Sequence, residues 1–193
     1  MPLSEPAARE PLHTRTVTCN GYRRSDGLWD IEGHITDVKT YAFDNDWRGT
    51  VQPGDPVHDM WIRLTLTDDF LVTAVEAVTD KSPFEVCGGI TGNFQRLVGL
   101  KVAPGWTRKV RELLGGAEGC THLVELLGPV ATTAFQTIYP ARARERNRRQ
   151  EAGPPSNERP RLLDSCHAFR SDGEAVRRLW PAHYTGPAPR HEG

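Results

Sequence analysis

The side chains best suited to chemistry in this 193-residue chain are imidazoles and thiols in short stretches flanked by turn residues. His58 and Asp59 follow the rigid run Gln52-Pro53-Gly54-Asp55-Pro56, Cys87 opens Cys87-Gly88-Gly89, and Cys120-Thr121-His122 follows a glycine. Thiolates and imidazoles together suit zinc, iron or copper, and a site needs three or four of them held by rigid segments. The candidate ligands of these types are His58, Cys87, Cys120 and His122, none of which makes a closed site by itself. Cys120 and His122 open the strongest helical pattern, where free N–H groups and the helix dipole suit a negatively charged sulfur. The alternative reading makes Cys120 a small buried hydrophobe and His122 a cap, because a two-residue match arises easily by chance.

A catalytic metal site also uses a carboxylate, which orients a histidine or acts as general base toward bound water. Asp59 and Glu125 are the expected catalytic acids; for Glu125 the alternative is a solvated helix face. Asp26, Asp30, Glu32 and Asp37 lie beside Arg23, Arg24 and Lys39 and read instead as ion pairs on a strand face. Cys166-His167 either completes a four-ligand shell, supplies a Cys/His nucleophile pair, or packs. Cys19 and His34 read as sheet residues, and His183 and His191 as exposed parts of a Pro-rich end.

These residues need elements to hold them. From His13 to Tyr41 the chain alternates and is rich in Thr, Val, Ile, Tyr and Trp, with Ser25-Asp26-Gly27 placed to turn one strand into the next. Met60, Ile62, Leu64 and Leu66 alternate with Trp61, Arg63, Thr65 and Thr67, and Leu71 to Val78 returns antiparallel. After Pro83 the period becomes helical. Trp106, Val110, Leu113 and Leu114 form one apolar stripe, and Leu123, Leu126, Leu127, Val130, Ala131, Ala134 and Ile138 a second, with Gly128-Pro129 expected to kink that helix and Pro140 to stop it. The fold class expected is α+β, an antiparallel sheet built from hairpins with helices packed on one face.

The organisation expected is a flexible arm over 1–12, an α+β metal-binding domain over 13–140, a basic solvated linker over 141–161, and a C-terminal segment over 162–193 that docks on the core. The linker carries seven arginines, three glutamates and three prolines with almost no apolar residue. No aromatics interleave those arginines, and the whole chain has a formal charge of -1 and a pI near 6.7, so no nucleic acid is expected as partner. No run approaches the ~18–20 apolar residues of a membrane helix and Met1 to Pro11 lacks the order of a signal peptide, so a cytoplasmic protein with four free thiols is expected.

The order of elements from Pro56 to Tyr139 is similar to that of the iron–sulfur cluster scaffold family of the NifU and IscU type. The matching stretches are Pro56-Val57-His58-Asp59-Met60, Val86-Cys87-Gly88-Gly89-Ile90 and Gly119-Cys120-Thr121-His122-Leu123. The resemblance implies a NifU/IscU-like core in which three segments converge on one metal or cluster. His58 stands where that family has a cysteine, and mixed nitrogen and sulfur donors favour a mononuclear zinc or iron ion. The longer pattern Arg23-Arg24-Ser25-Asp26-Gly27-Leu28-Trp29-Asp30-Ile31-Glu32-Gly33, with His58-Asp59-Met60-Trp61 and Gly119-Cys120-Thr121-His122-Leu123, resembles a bacterial domain family of unknown function.

The function expected is a zinc or iron enzyme acting on a small molecule, with three protein ligands and one open position. The alternatives are a metal or iron–sulfur carrier that works with a protein partner or as a homo-oligomer, and a metal-free thiol enzyme using Cys120 with His122 or His167.

Overall fold

The computed structural model describes residues 3–148, 159–160 and 162–187. The chain divides into two compact units, Met1–Glu145 and Arg146–Gly193. The first holds a four-stranded antiparallel sheet of strands β1 (His13–Arg23), β2 (Trp29–Lys39), β5 (Pro56–Leu66) and β6 (Val72–Lys81), in the order β1-β2-β5-β6. A short pair, β3 (Phe43–Asn45) and β4 (Gly49–Val51), sits between β2 and β5 in the chain. Two helices follow, α1 (Trp106–Leu114) and α2 (Thr121–Arg148), after a 3-10 segment over Glu85–Leu97. The expected α+β class is therefore observed, with helices on one sheet face.

Alternation assigns the two faces. In β2 the buried positions are Trp29, Ile31, Ile35 and Asp37, and in β5 they are Met60, Ile62, Leu64 and Leu66, so one face of the sheet is apolar over most of its length. The β1–β2 turn closes where sequence places it: Arg24 donates its backbone N–H to Leu28 (2.9 Å), Leu28 donates to Asp26 Oδ1 (3.2 Å), and Gly27 takes a φ of +87° that other side chains resist.

The covering helices present the stripes that periodicity predicts. Trp106, Val110 and Leu114 are buried from α1; Leu123, Leu126, Leu127, Val130, Ala134 and Ile138 are buried from α2. Each such side chain contributes roughly 1.5–3 kcal/mol on burial. The Trp106 indole N–H donates to the Leu127 carbonyl (3.2 Å), which ties the two helices together. A Cβ on Gly33 would stand 2.6 Å from Val130 Cγ2 and 2.9 Å from Leu126 Cγ, so the missing side chain lets α2 lie directly on β2.

One expectation fails, and one element is unforeseen. Pro140 does not stop α2, which continues to Arg148 and so takes in the first part of the stretch read as linker. Proline removes one N–H bond, but the following turns have their own anchors: Ala141 packs on the core, Arg142 donates to the Asp68 carbonyl (2.9 Å), and Arg23 pairs with Glu145 (3.1 Å). The β3–β4 hairpin was not legible. It is nucleated locally by Asn45, whose Oδ1 accepts the backbone N–H groups of Trp47 (3.1 Å) and Arg48 (2.8 Å).

Within the rest of the basic stretch, 149–158 and 161 lie outside the described residues, as does His191. The second unit contains α3 (Glu174–Leu179) between two 3-10 turns, with the Phe169 and Trp180 rings 5.3 Å apart. Cys166 and His167 belong to this unit and are exposed. No helix among the described residues is long and apolar enough to cross a membrane.

Candidate metal centre

One end of the sheet departs from the apolar rule. Asp37 is in phase with Trp29, Ile31 and Ile35 and is only 1% exposed, yet it carries a charge. The β2–β5 register explains its neighbour. Asp37 pairs with His58 and Val38 with Pro56, so Val57 is an extra residue, a bulge beside the site that sets His58 directly opposite Asp37. On the other side Arg15 of β1 is the direct cross-strand partner of Asp37. The start of α2 supplies His122 from above.

A buried carboxylate must be paired. Oδ1 of Asp37 accepts from His13 Nε2 (2.9 Å) and Arg15 Nε (2.8 Å); Oδ2 accepts from Arg15 Nη2 (2.9 Å) and His58 Nδ1 (3.0 Å). His122 Nε2 lies 3.8 Å from the same Oδ2, and the two imidazoles face one another with centroids 3.8 Å apart. Asp37, His58 and His122 each offer a donor atom within 4.8 Å of the others, the one such trio found among the described residues. Arg15 also bonds Glu125 through Nη1 (2.6 Å), joining β1 to the first turns of α2.

Electrostatics fixes the protonation states. Burial alone would raise the Asp37 carboxyl, but the Arg15 hydrogen bonds and charge outweigh it, helped by His13 and His58, and hold it at about 2. Burial pushes His58 down, reinforced by the charge of His122 and opposed by Asp37. Burial also pushes His122 down, reinforced by Arg15 and opposed by Asp37 and Glu125. At neutral pH the site therefore holds an ionised carboxylate and two neutral imidazoles, the forms that bind metal ions.

These shifts make stability depend on pH. A histidine held below its ordinary value near 6.5 binds its proton more readily in the unfolded chain, so stability falls as pH drops below that value. Asp37 contributes stability that is complete above the unfolded carboxylate value and is lost as pH falls toward about 2, worth on the order of 2.5 kcal/mol. Urea unfolding of chelator-treated protein at pH 7, 5 and 3 is expected to give successively lower stability. An unfolding free energy flat across that range would contradict the burial and pairing just described.

The residues expected from sequence fall into three groups. His58 and His122 come together. Cys120 is adjacent, with Sγ 3.8 Å from His122 Nδ1 and 3.7 Å from Met60 Sδ. Glu125 reaches the cluster through Arg15. Cys87 lies half-buried in the 3-10 segment, and its sulfur is not part of the trio. Asp59 is on the opposite face of the sheet, where its Oδ1 accepts from His34 Nε2 (2.7 Å) and His34 stacks on Trp61 at 3.6 Å.

Asp37, Arg15 and His13 are absent from the expected set. The signal for Asp37 was present: an acid in phase with Trp29, Ile31 and Ile35 points to the covered face, where an ordinary surface ion pair does not belong. Asp59, by the same parity, is out of phase with Met60, Ile62 and Leu64.

The donor set suits zinc or iron(II), since two imidazoles and one carboxylate form a three-ligand face used by both. Tetrahedral bonds of about 2.0–2.1 Å put ligand atoms roughly 3.3 Å apart. The 3.0 and 3.8 Å separations from Asp37 Oδ2 bracket that spacing.

Comparison with curated proteins and with solved structures gave no significant match. A family model described as "Protein of unknown function (DUF2889)" matches residues 13–136, the span from β1 through most of α2, and the chain belongs to that family.

Proposed function

We propose that the first unit is a metal-dependent enzyme domain that holds one zinc or iron ion through Asp37, His58 and His122 and acts on a small molecule at the open coordination position. The observation that carries this reading is the convergence of one ionised carboxylate and two neutral imidazoles from β2, β5 and α2. An ion here would be held by Asp37, His122 Nε2 and His58, whose Nδ1 gives up its hydrogen bond to Asp37 and becomes a ligand only in the tautomer that carries the proton on Nε2. His122 Nδ1 then carries its proton toward Cys120, and the partner of a metal-bound imidazole typically fixes its tautomer in this way. Arg15 and His13 keep Asp37 ionised and oriented. Glu125, bonded to Arg15, is the acid this reading assigns to moving a proton from bound water.

Elemental analysis of gently purified protein tests this reading. About one zinc or iron per chain is expected, falling to about a tenth or less in His58→Ala and His122→Ala while far-ultraviolet circular dichroism is retained. Metal content near zero in the parent protein, or unchanged content in both variants, would rule the centre out.

A second reading uses the same groups without metal. Cys120 Sγ stands 3.8 Å from His122 Nδ1, and His122 Nε2 3.8 Å from Asp37 Oδ2, the order of a thiol nucleophile, its base and an orienting acid. Iodoacetamide alkylation separates the two. Metal-independent, rapid labelling of Cys120 that slows in His122→Ala supports the thiol enzyme; protection of Cys120 by bound metal supports the centre. An iron–sulfur carrier is the remaining possibility, and acid-labile sulfide with a visible charge-transfer band is its signature.

A further inference from the structure

A cleft of about 550 Å³ opens between α1 and α2, in the size range of small-molecule sites. Its lining is mixed: Trp106, Val110 and Leu114 from α1 and Val124 and Leu127 from α2 are apolar, and Thr107 and Thr121 add hydroxyls. Two charged side chains border it, Arg111 and Glu125. They are not equivalent. Glu125 is already bonded by Arg15 at 2.6 Å, a guanidinium it shares with Asp37, whereas the Arg111 guanidinium has no hydrogen bond or ion pair among the described residues. The cleft therefore presents an apolar strip and one uncommitted positive charge. The start of α2 adds to the same sign, because Thr121 lines the cleft and the first turn contains no acidic residue.

We infer that this cleft binds a small organic anion, an apolar body carrying a single carboxylate, with the carboxylate on Arg111 and the body between Trp106 and Val124. A guanidinium and a carboxylate match as a two-pronged hydrogen-bonded pair, and the apolar strip rewards the hydrocarbon by the area it covers. One cation answers one negative charge, so a dianion such as a phosphate monoester is left half compensated. The inference does not depend on a metal at the Asp37 cluster. The two regions do meet: Thr121 lies between Cys120 and His122, and Glu125 joins the cleft wall to Arg15. Arg15 in turn bonds Asp37.

Titration of the full-length, chelator-treated protein with octanoate, followed by amide chemical shifts, tests the assignment. Shifts are expected at Thr107, Arg111, Thr121 and Val124, with octanoate bound about tenfold more tightly than 1-octanol. Arg111→Ala is expected to erase that preference while weak binding of both probes remains. Thr107→Trp, at an exposed lining position, is expected to block both. The assignment is overturned if octanoate produces no shifts at millimolar concentration, if the shifts map elsewhere, or if octanoate and octanol bind equally to the parent protein. Because metal plays no part in the readout, this outcome and the metal analysis can fail separately.

Discussion

Asp37→Ala is expected to lower the unfolding free energy by roughly 3–5 kcal/mol, the range for removing one member of a buried ion pair. Asp37 gives one carboxylate to four donors, and at 1% exposure water cannot take its place. The outcome belongs near the low end of that range. Arg15 is partly exposed and keeps its bond to Glu125, so its charge is not stranded when Asp37 is lost. For a chain of this size the shift in Tm is on the order of 10 °C. Arg15→Ala is expected to cost more than Asp37→Ala, since it leaves the carboxylate buried with only imidazoles beside it, and the double variant is expected to cost less than the sum of the two. Thermal unfolding of the two single variants and the double variant supplies the comparison. Asp37→Ala within about 0.5 kcal/mol of the parent would mean that the carboxylate is not buried and paired as described.

The parts of this architecture that sequence reveals are those governed by local rules. A two-residue period with Asp26-Gly27 between the strands specifies the β1–β2 hairpin, because the turn and the alternation agree. The i, i+4, i+8 spacing of Trp106, Val110 and Leu114 specifies α1 in the same way. Parity was available for the site as well, yet it had to be combined with knowledge of what covers the sheet. Asp37 lies on the inner face by parity alone, but an acid at a strand end is buried only if α2 reaches over it, and that contact joins residues far apart in the chain. Cys87 shows the converse. Its residue type and its Gly-Gly neighbours suited a ligand, but the path of the Glu85–Leu97 segment is set by Phe94 and Leu97 in the core, and by Asn93 and Arg96 bonding to Glu118, which no short motif encodes. Pro140 predicts a stop because its missing N–H is a local fact, while the anchors beyond it at Asp68 and Arg23 are tertiary.

The same dependence of the site on distant packing gives the second large effect. Gly33 lies in the middle of β2, four residues before Asp37, and supports α2 at Leu126 and Val130, one turn and two turns after His122. A side chain at 33 must displace the helix, because both neighbours are fully buried and have no solvent to move into. Gly33→Val is therefore expected to cost about 3 kcal/mol from overpacking, and more if the whole helix lifts. Lifting α2 carries His122 away from Asp37 and His58, which remain paired across β2 and β5. The variant should thus lose metal affinity although none of the three proposed ligands has changed. Gly33→Ala, which asks for a smaller displacement, is the graded case, and its loss in stability and in metal affinity should both lie between those of the parent and Gly33→Val. Urea unfolding joined to competition with a chelator measures the two losses. Equal metal affinity in parent and Gly33→Val, at a clearly reduced stability, would show that His122 is not held in place by the seating of α2 on the glycine and would remove it from the proposed ligand set.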